Sequence, residues 1–240
     1  MIEILNIGKE NKLIITVYIA LLSVVSTAYF LLVAMRAEGY DPEAWGKAYM
    51  YFMLFSFVLF SVLLPFWKTG GAGRGKYLKM LGGVLVFTLS PIPLILMILV
   101  LGKLSGVNFM LVLAVQALWG TGLLSFKSAL EALRIKKWKG FLLAVFIFAV
   151  LVLLPVFLYF FVEYNRTVIT TVFDKRIPFL FLLNPLHSAA GLLNAQTGGQ
   201  VQGGYMPYPA CLLFWTLFSC VNMAISIKYP QVKERRRNRT

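Results

Sequence analysis

The stretch MLGGVLVFTLSPIPLILMILVL, residues 80–101, contains no Asp, Glu, Lys or Arg. A helix that crosses the ~30 Å hydrocarbon core of a bilayer needs about 20 mainly apolar residues, and this run supplies them. Working outward, five more runs have the same character: residues 13–35, 48–67, 109–126, 140–162 and 207–227. Hydrophobic residues make up 60% of the 240-residue chain, above the ~45–50% apolar content of soluble domains. Backbone in lipid must satisfy its own N–H and C=O groups, and a helix does so within one segment. The sequence therefore predicts an all-α membrane protein, a single transmembrane domain over residues 1–240 with six spans.

The formal net charge of +14 is informative through its placement. Alternate gaps, counted from residue 1, hold seventeen of the 23 Lys and Arg: Lys9 and Lys12; Lys68, Arg74, Lys76 and Lys79; Lys127, Arg134, Lys136, Lys137 and Lys139; and the tail 228–240. Lys- and Arg-rich loops stay on the cytoplasmic side. The expectation is a multi-pass protein of the cell (plasma or inner) membrane with both termini cytoplasmic. Basic residues flanking spans set topology and meet anionic lipid headgroups. The basic stretch Lys233–Arg239 lacks the interleaved aromatics that stack on bases, so no nucleic-acid partner is expected. The first span is too long for a signal-peptide core and reads as a retained anchor. Cys211 and Cys220, nine apart in the last span, fall on different helix faces and read as free, buried thiols.

Several local patterns refine this frame. Trp45, Tyr49 and Tyr51, after the turn Asp41-Pro42-Glu43, suit an interfacial aromatic belt. The loop 67–79 contains Gly70-x-x-x-x-Gly75-Lys76. A nucleotide-binding P-loop needs Ser or Thr after that Lys, with a strand before and a helix after. Here Tyr77 follows and a span precedes, so the loop reads as a basic turn and no nucleotide is expected on this chain. Ser90-Pro91-Ile92-Pro93 predicts a kink inside the third span, and Pro155 a second one in the fifth. Residues 125–133 read as a continuation of the fourth helix beyond the membrane. Gly120, Gly122, Ser125 and Ser128 would let another helix come close.

The gap 163–206 differs from the rest. Two short apolar pieces, 177–183 and 186–195, are separated by Asn184-Pro185, and each is too short to span. They read as a re-entrant or interfacial helical pair over 177–195, followed by a Gly/Gln-rich turn at 197–204. His187 reads as a structural polar residue. Charge is absent from the middle of all six spans, which argues against ion-coupled transport. The chain carries no Gly-x-Ser-x-Gly, His-Glu-x-x-His or paired Asp motif, which argues against an intramembrane hydrolase. No catalytic or metal site is expected.

With these features together, the layout resembles the type-2 permease subunits of ABC transporters over nearly the whole chain. The matching features are six spans with both ends inside and a short loop after the second span. To these are added Gly120-Thr121-Gly122-Leu123-Leu124-Ser125-Phe126 in the fourth span, and Leu183-Asn184-Pro185-Leu186-His187-Ser188-Ala189 between the fifth and sixth. The loop after the second span departs from the family's acidic Glu-Arg phrase, being glycine-rich and basic. The resemblance implies a non-catalytic subunit, an exporter by the family's habit, with ATP and Mg²⁺ bound in a partner ATPase. It implies a second permease chain as homo- or heterodimer partner. It also makes 67–79, with Trp67, Lys68, Arg74, Lys76, Tyr77 and Lys79, the ATPase-coupling loop, residues 1–12 a short elbow, and Asn184, Pro185 and His187 part of the re-entrant outer segment. Two other readings fit the composition: a structural or assembly subunit of a membrane complex, and a lipid- or peptide-modifying membrane enzyme using His187 with Asn184, Asn194 and Gln196.

Overall fold

The computed structural model describes residues 8–36, 42–69, 74–101, 103, 109–135, 137–156, 169–172, 175–178, 183–196 and 208–237. Among the described residues, six helices are long and apolar enough to cross a membrane: Lys9–Val33, Ala44–Phe66, Gly75–Leu101, Phe109–Ala132, Lys139–Val156 and Tyr208–Tyr229. The chain is thus a multi-pass membrane protein. The elements in order are α1 (Lys9–Arg36), α2 (Pro42–Leu63) with a 3₁₀ turn over Leu64–Phe66, α3 (Arg74–Leu89), α4 (Ile92–Leu101), α5 (Phe109–Ala132), α6 (Lys139–Phe148), β1 (Ile169–Val172), β2 (Lys175–Pro178), α7 (Pro185–Gln196) and α8 (Tyr208–Arg237). The turn at Asp41, the Gly70–Gly73 stretch, Leu104, residues 157–168, the Gly/Gln-rich turn at 197–204, most of the elbow and the last three residues lie outside the described residues.

The proline pair acts as its chemistry dictates. Proline has no N–H and its ring clashes with the preceding turn. The third span therefore divides at Ser90–Pro91 into α3 and α4, bridged by Ser90 N–H to Val86 O (3.0 Å) and Ile95 N–H to Pro91 O (3.0 Å). The fifth span responds to Pro155 differently. Ala149–Leu153 form a π-helical turn, and the Leu154 N–H bonds to Ala149 O, one residue further back than in an α-helix.

α5 is the centre of the bundle, buried at nearly every position from Val115 to Leu130. Small residues let its neighbours approach, because without a hydrophobic drive in lipid, close packing is what holds helices together. A side chain at Gly120 would collide with Phe60 and Leu64 of α2, and one at Gly122 with the Trp215 ring of α8. Ser128 shares a 2.9 Å hydrogen bond with Ser226 of α8. The aromatic centre is Trp119. It meets Trp215 edge-on at 4.5 Å and stacks on Phe146 of α6 at 5.9 Å. Its Nε1 donates to Ser61 Oγ at 2.8 Å. Edge-to-face and offset pairs of this kind add about 0.5–1.5 kcal/mol each beyond area burial.

Outward faces remain apolar and exposed, as lipid contact requires: Leu13, Val24 and Leu32 on α1, Phe141 and Phe148 on α6, Leu213, Leu217 and Val221 on α8. Cys211 is buried, but Cys220 is exposed, which corrects the reading of both thiols as buried. Nine residues turn a helix by about two and a half revolutions, so the two point opposite ways. Of the expected aromatic belt, Trp45 pairs with Phe30 and Tyr51 with Tyr29 across α1 and α2, whereas Tyr49 is in the core.

Between the fifth and sixth spans the second apolar piece is a helix, α7. The first begins as strand where it is described, and Leu183, next to α7, has 3₁₀ winding. Ile177 and Pro178 end strand β2, which pairs antiparallel with β1 in the register Ile169↔Pro178 to Val172↔Lys175. Residues 179–182 lie outside the described set. The signal for the hairpin was the β-branched run Ile169-Thr170-Thr171-Val172.

Candidate functional site

The four basic gaps meet at one end of the bundle. Asn11 of α1 is paired like a short piece of ladder with the Lys68 backbone. Its Nδ2 donates to Lys68 O and its Oδ1 accepts from Lys68 N–H, each at 2.9 Å. Glu10 forms an exposed ion pair with the Lys68 side chain. Glu131, at the end of α5, receives Lys76 Nζ of α3 on one oxygen (3.1 Å) and Lys139 Nζ of α6 on the other (3.0 Å). Tyr77 OH donates to Ser226 Oγ at 2.9 Å, joining α3 to α8. The start of α1, the end of α2, the start of α3, the end of α5, the start of α6 and the basic stretch of α8 are thus at one end.

Lys127 is the least expected member. One helical turn before Glu131, it is 8% exposed. Its Nζ donates to Pro65 O (2.8 Å) and Trp67 O (2.7 Å), the carbonyls where α2 runs out. The last carbonyls of a helix have no intrahelical donor, and a cation there satisfies them and the helix dipole. α5 itself stops at Arg134, whose φ of 63° is left-handed, with Ile135 N–H closing on Leu130 O at 3.1 Å. This is a helix C-cap made without glycine.

Beneath this basic end lies a groove of about 940 Å³. One wall is α2, through Val58, Val62 and Phe66. The other is α6, through Gly140, Leu143, Ala144 and Ile147, continued by Leu151 and Val152 of the π turn. Their spacing of three and four residues puts the α6 residues on one face. The mouth carries Lys68, Lys76, Lys127, Glu131 and Lys139, and the deep end meets Leu186 of α7. The groove is open along its side, since Val58, Val62, Phe66, Phe148 and Val152 are exposed.

The expected coupling-loop residues separate into two groups. Trp67 is buried, its ring over Gly83 and edge-on to Phe87 at 5.8 Å. Lys68 and Lys79 are exposed, while Lys76 and Tyr77 face inward to Glu131 and Ser226. The side chain of Arg74 lies outside the described residues. The expected outer-segment residues also divide. Asn184 is fully buried and caps α7: its Oδ1 accepts from His187 N–H at 2.9 Å, with Pro185 as the first helical residue. Its Nδ2 donates to Val150 O in the π turn at 2.8 Å. The π-type donor for that carbonyl would be the N–H of residue 155, which is proline, so Asn184 fills the gap. The His187 side chain is exposed.

Sequence reading singled out neither Lys127 and Lys139 as groove residues nor Asn11. The available signal was Lys127 and Glu131 four apart, a spacing that puts both on one helix face. Comparison with protein-family models, curated proteins and solved structures finds no match for this chain.

Proposed function

We propose that this chain is the membrane-spanning subunit of an ABC transporter with the type-2 permease layout, forming the substrate pathway and driven by a separate ATPase. The basic end faces the cytoplasm in this reading, by the bias of Lys and Arg toward cytoplasmic loops. The observation that carries it is the construction of the segment between the second and third spans. Its start is fixed by Lys127, by the Asn11–Lys68 pairing and by the buried Trp67, while Lys68 and Lys79 remain exposed. A loop that must pass on force from a docked partner needs a fixed root and an available surface, and this one has both. The short helix α7 between the last two spans, held by Asn184, supports the same layout.

The test is affinity purification of the tagged full chain from its native membranes after mild cross-linking. An ATPase subunit should co-purify, and charge reversal at Lys68 and Lys79 (K68E with K79E) should cut its recovery severalfold while the chain stays in the membrane. Recovery of no ATPase, with or without cross-linking, overturns the proposal. Recovery of a stable complex without any ATPase would favour the structural-subunit reading instead.

A further inference from the structure

The groove combines an apolar length with a cationic mouth. Its long axis is apolar: α6 and the π turn, from Lys139 to Val152, together run about 20 Å at 1.5 Å per residue, well over half of the ~30 Å hydrocarbon core. Its mouth is cationic, with Lys76, Lys127 and Lys139 near the carboxylate of Glu131 and Lys68 beside them paired with Glu10. Among the described residues, Lys76 and Lys139 each spend one N–H on Glu131 and Lys127 spends two on carbonyls. An ammonium has three N–H donors, so donors at the mouth remain for an anion.

We propose that the α2–α6 groove is a binding site for one anionic phospholipid, its phosphate held at the mouth by Lys76 and Lys139 and an acyl chain lying along Leu143, Ala144, Ile147 and Leu151. Charge decides between this occupant and a second copy of the chain. Symmetric self-packing would set one cationic mouth against another, and like charges brought together oppose docking. A lipid brings the opposite charge and the matching apolar length. Basic pockets between spans at the cytoplasmic side select anionic headgroups for this reason. Lateral openness of the groove gives a bilayer lipid direct entry. The site needs no ATPase, so its fate is separate from that of the transport proposal.

The purified full chain in neutral detergent, titrated with dioleoylphosphatidylglycerol or dioleoylphosphatidylcholine and read by native mass spectrometry, tests it. Wild-type protein should retain the phosphatidylglycerol about tenfold more tightly, a difference well within a single site's reach. K76Q with K139Q should abolish the preference, and K76R with K139R should keep it, which separates charge from folding. Ala144→Phe, which fills the apolar channel and leaves the mouth intact, should lower retention of the phosphatidylglycerol. K12Q with K228Q, outside the groove, should change nothing. The proposal is overturned if the preference survives K76Q with K139Q, or if Ala144→Phe leaves retention unaltered. It is equally overturned if free glycerol phosphate competes as well as the lipid, or if the wild-type chain is a dimer that Ala144→Phe dissociates.

Discussion

At the scale of single residues, the chain solves the problem of orphan backbone groups with side chains from distant helices. Lys127 covers two carbonyls where α2 ends. Removing it by Lys127→Ala leaves both unpaired, at a cost of about 2 kcal/mol. The local effect should be larger than the global one: amide exchange at Lys68 and Thr69 should accelerate markedly, as measured by hydrogen–deuterium exchange of the purified protein. Unchanged exchange there would mean that Asn11 alone fixes the loop. Asn184 supports a similar argument with an internal control. Asn184→Ala removes a helix cap and a buried carbonyl's partner together, and should cost about 1–3 kcal/mol in thermal stability. Pro155→Ala restores an N–H beside Val150 O. If Asn184 replaces that missing donor, the two substitutions should couple by about 0.5–2 kcal/mol in a double-mutant cycle, with Pro155→Ala less harmful when Asn184 is absent. Additive effects would separate the two features.

Among the elements, α5 sets the tolerance of the bundle. Gly120 lies against Phe60 and Leu64, whereas a side chain at Gly82 on α3 would meet nothing within 4 Å. Gly120→Leu should therefore destabilise by about 3 kcal/mol, with forced repacking of α2, while Gly82→Leu should change the thermal midpoint little. Equal effects would contradict the packing. The elements were also the most legible level of the sequence. Long uncharged runs announced the spans, because length and the need to satisfy backbone in lipid leave few alternatives. Ser90-Pro91-Ile92-Pro93 announced the break between α3 and α4. Residues 169–178 were less readable. An apolar piece as short as 177–183 suits helix or strand, and the pairing that makes a strand comes from a partner segment. The site was hardest to read. The groove joins residues from five helices, and nothing local to Lys76 reveals Glu131, fifty-five positions away. The π turn was hidden for a similar reason, since Pro155 announces a disturbance without naming its form.

For the whole molecule, the shared basic end fixes where both terminal helices must be found. With Cys211 and Cys220 replaced by serine, single cysteines at Lys12→Cys and Lys228→Cys should react with a membrane-impermeant maleimide from the same side. That side should be the interior, so labelling appears in inside-out vesicles and not in intact cells. Reaction of one site from each side would contradict the threading of the spans and with it the position of the groove mouth.

The π turn over Ala149–Leu153 amounts to one surplus residue wound into the fifth span. Deleting a single residue from that turn can be absorbed by reverting to ordinary helical winding, so the flanking halves keep their facing. The same deletion inside α5 would swing everything beyond it by about 100° and scramble its contacts. Among the described residues, the fifth span is thus the crossing with a residue to lose while staying in phase, and a scan of one-residue deletions, scored by the amount of folded protein recovered, should show a narrow tolerant window there.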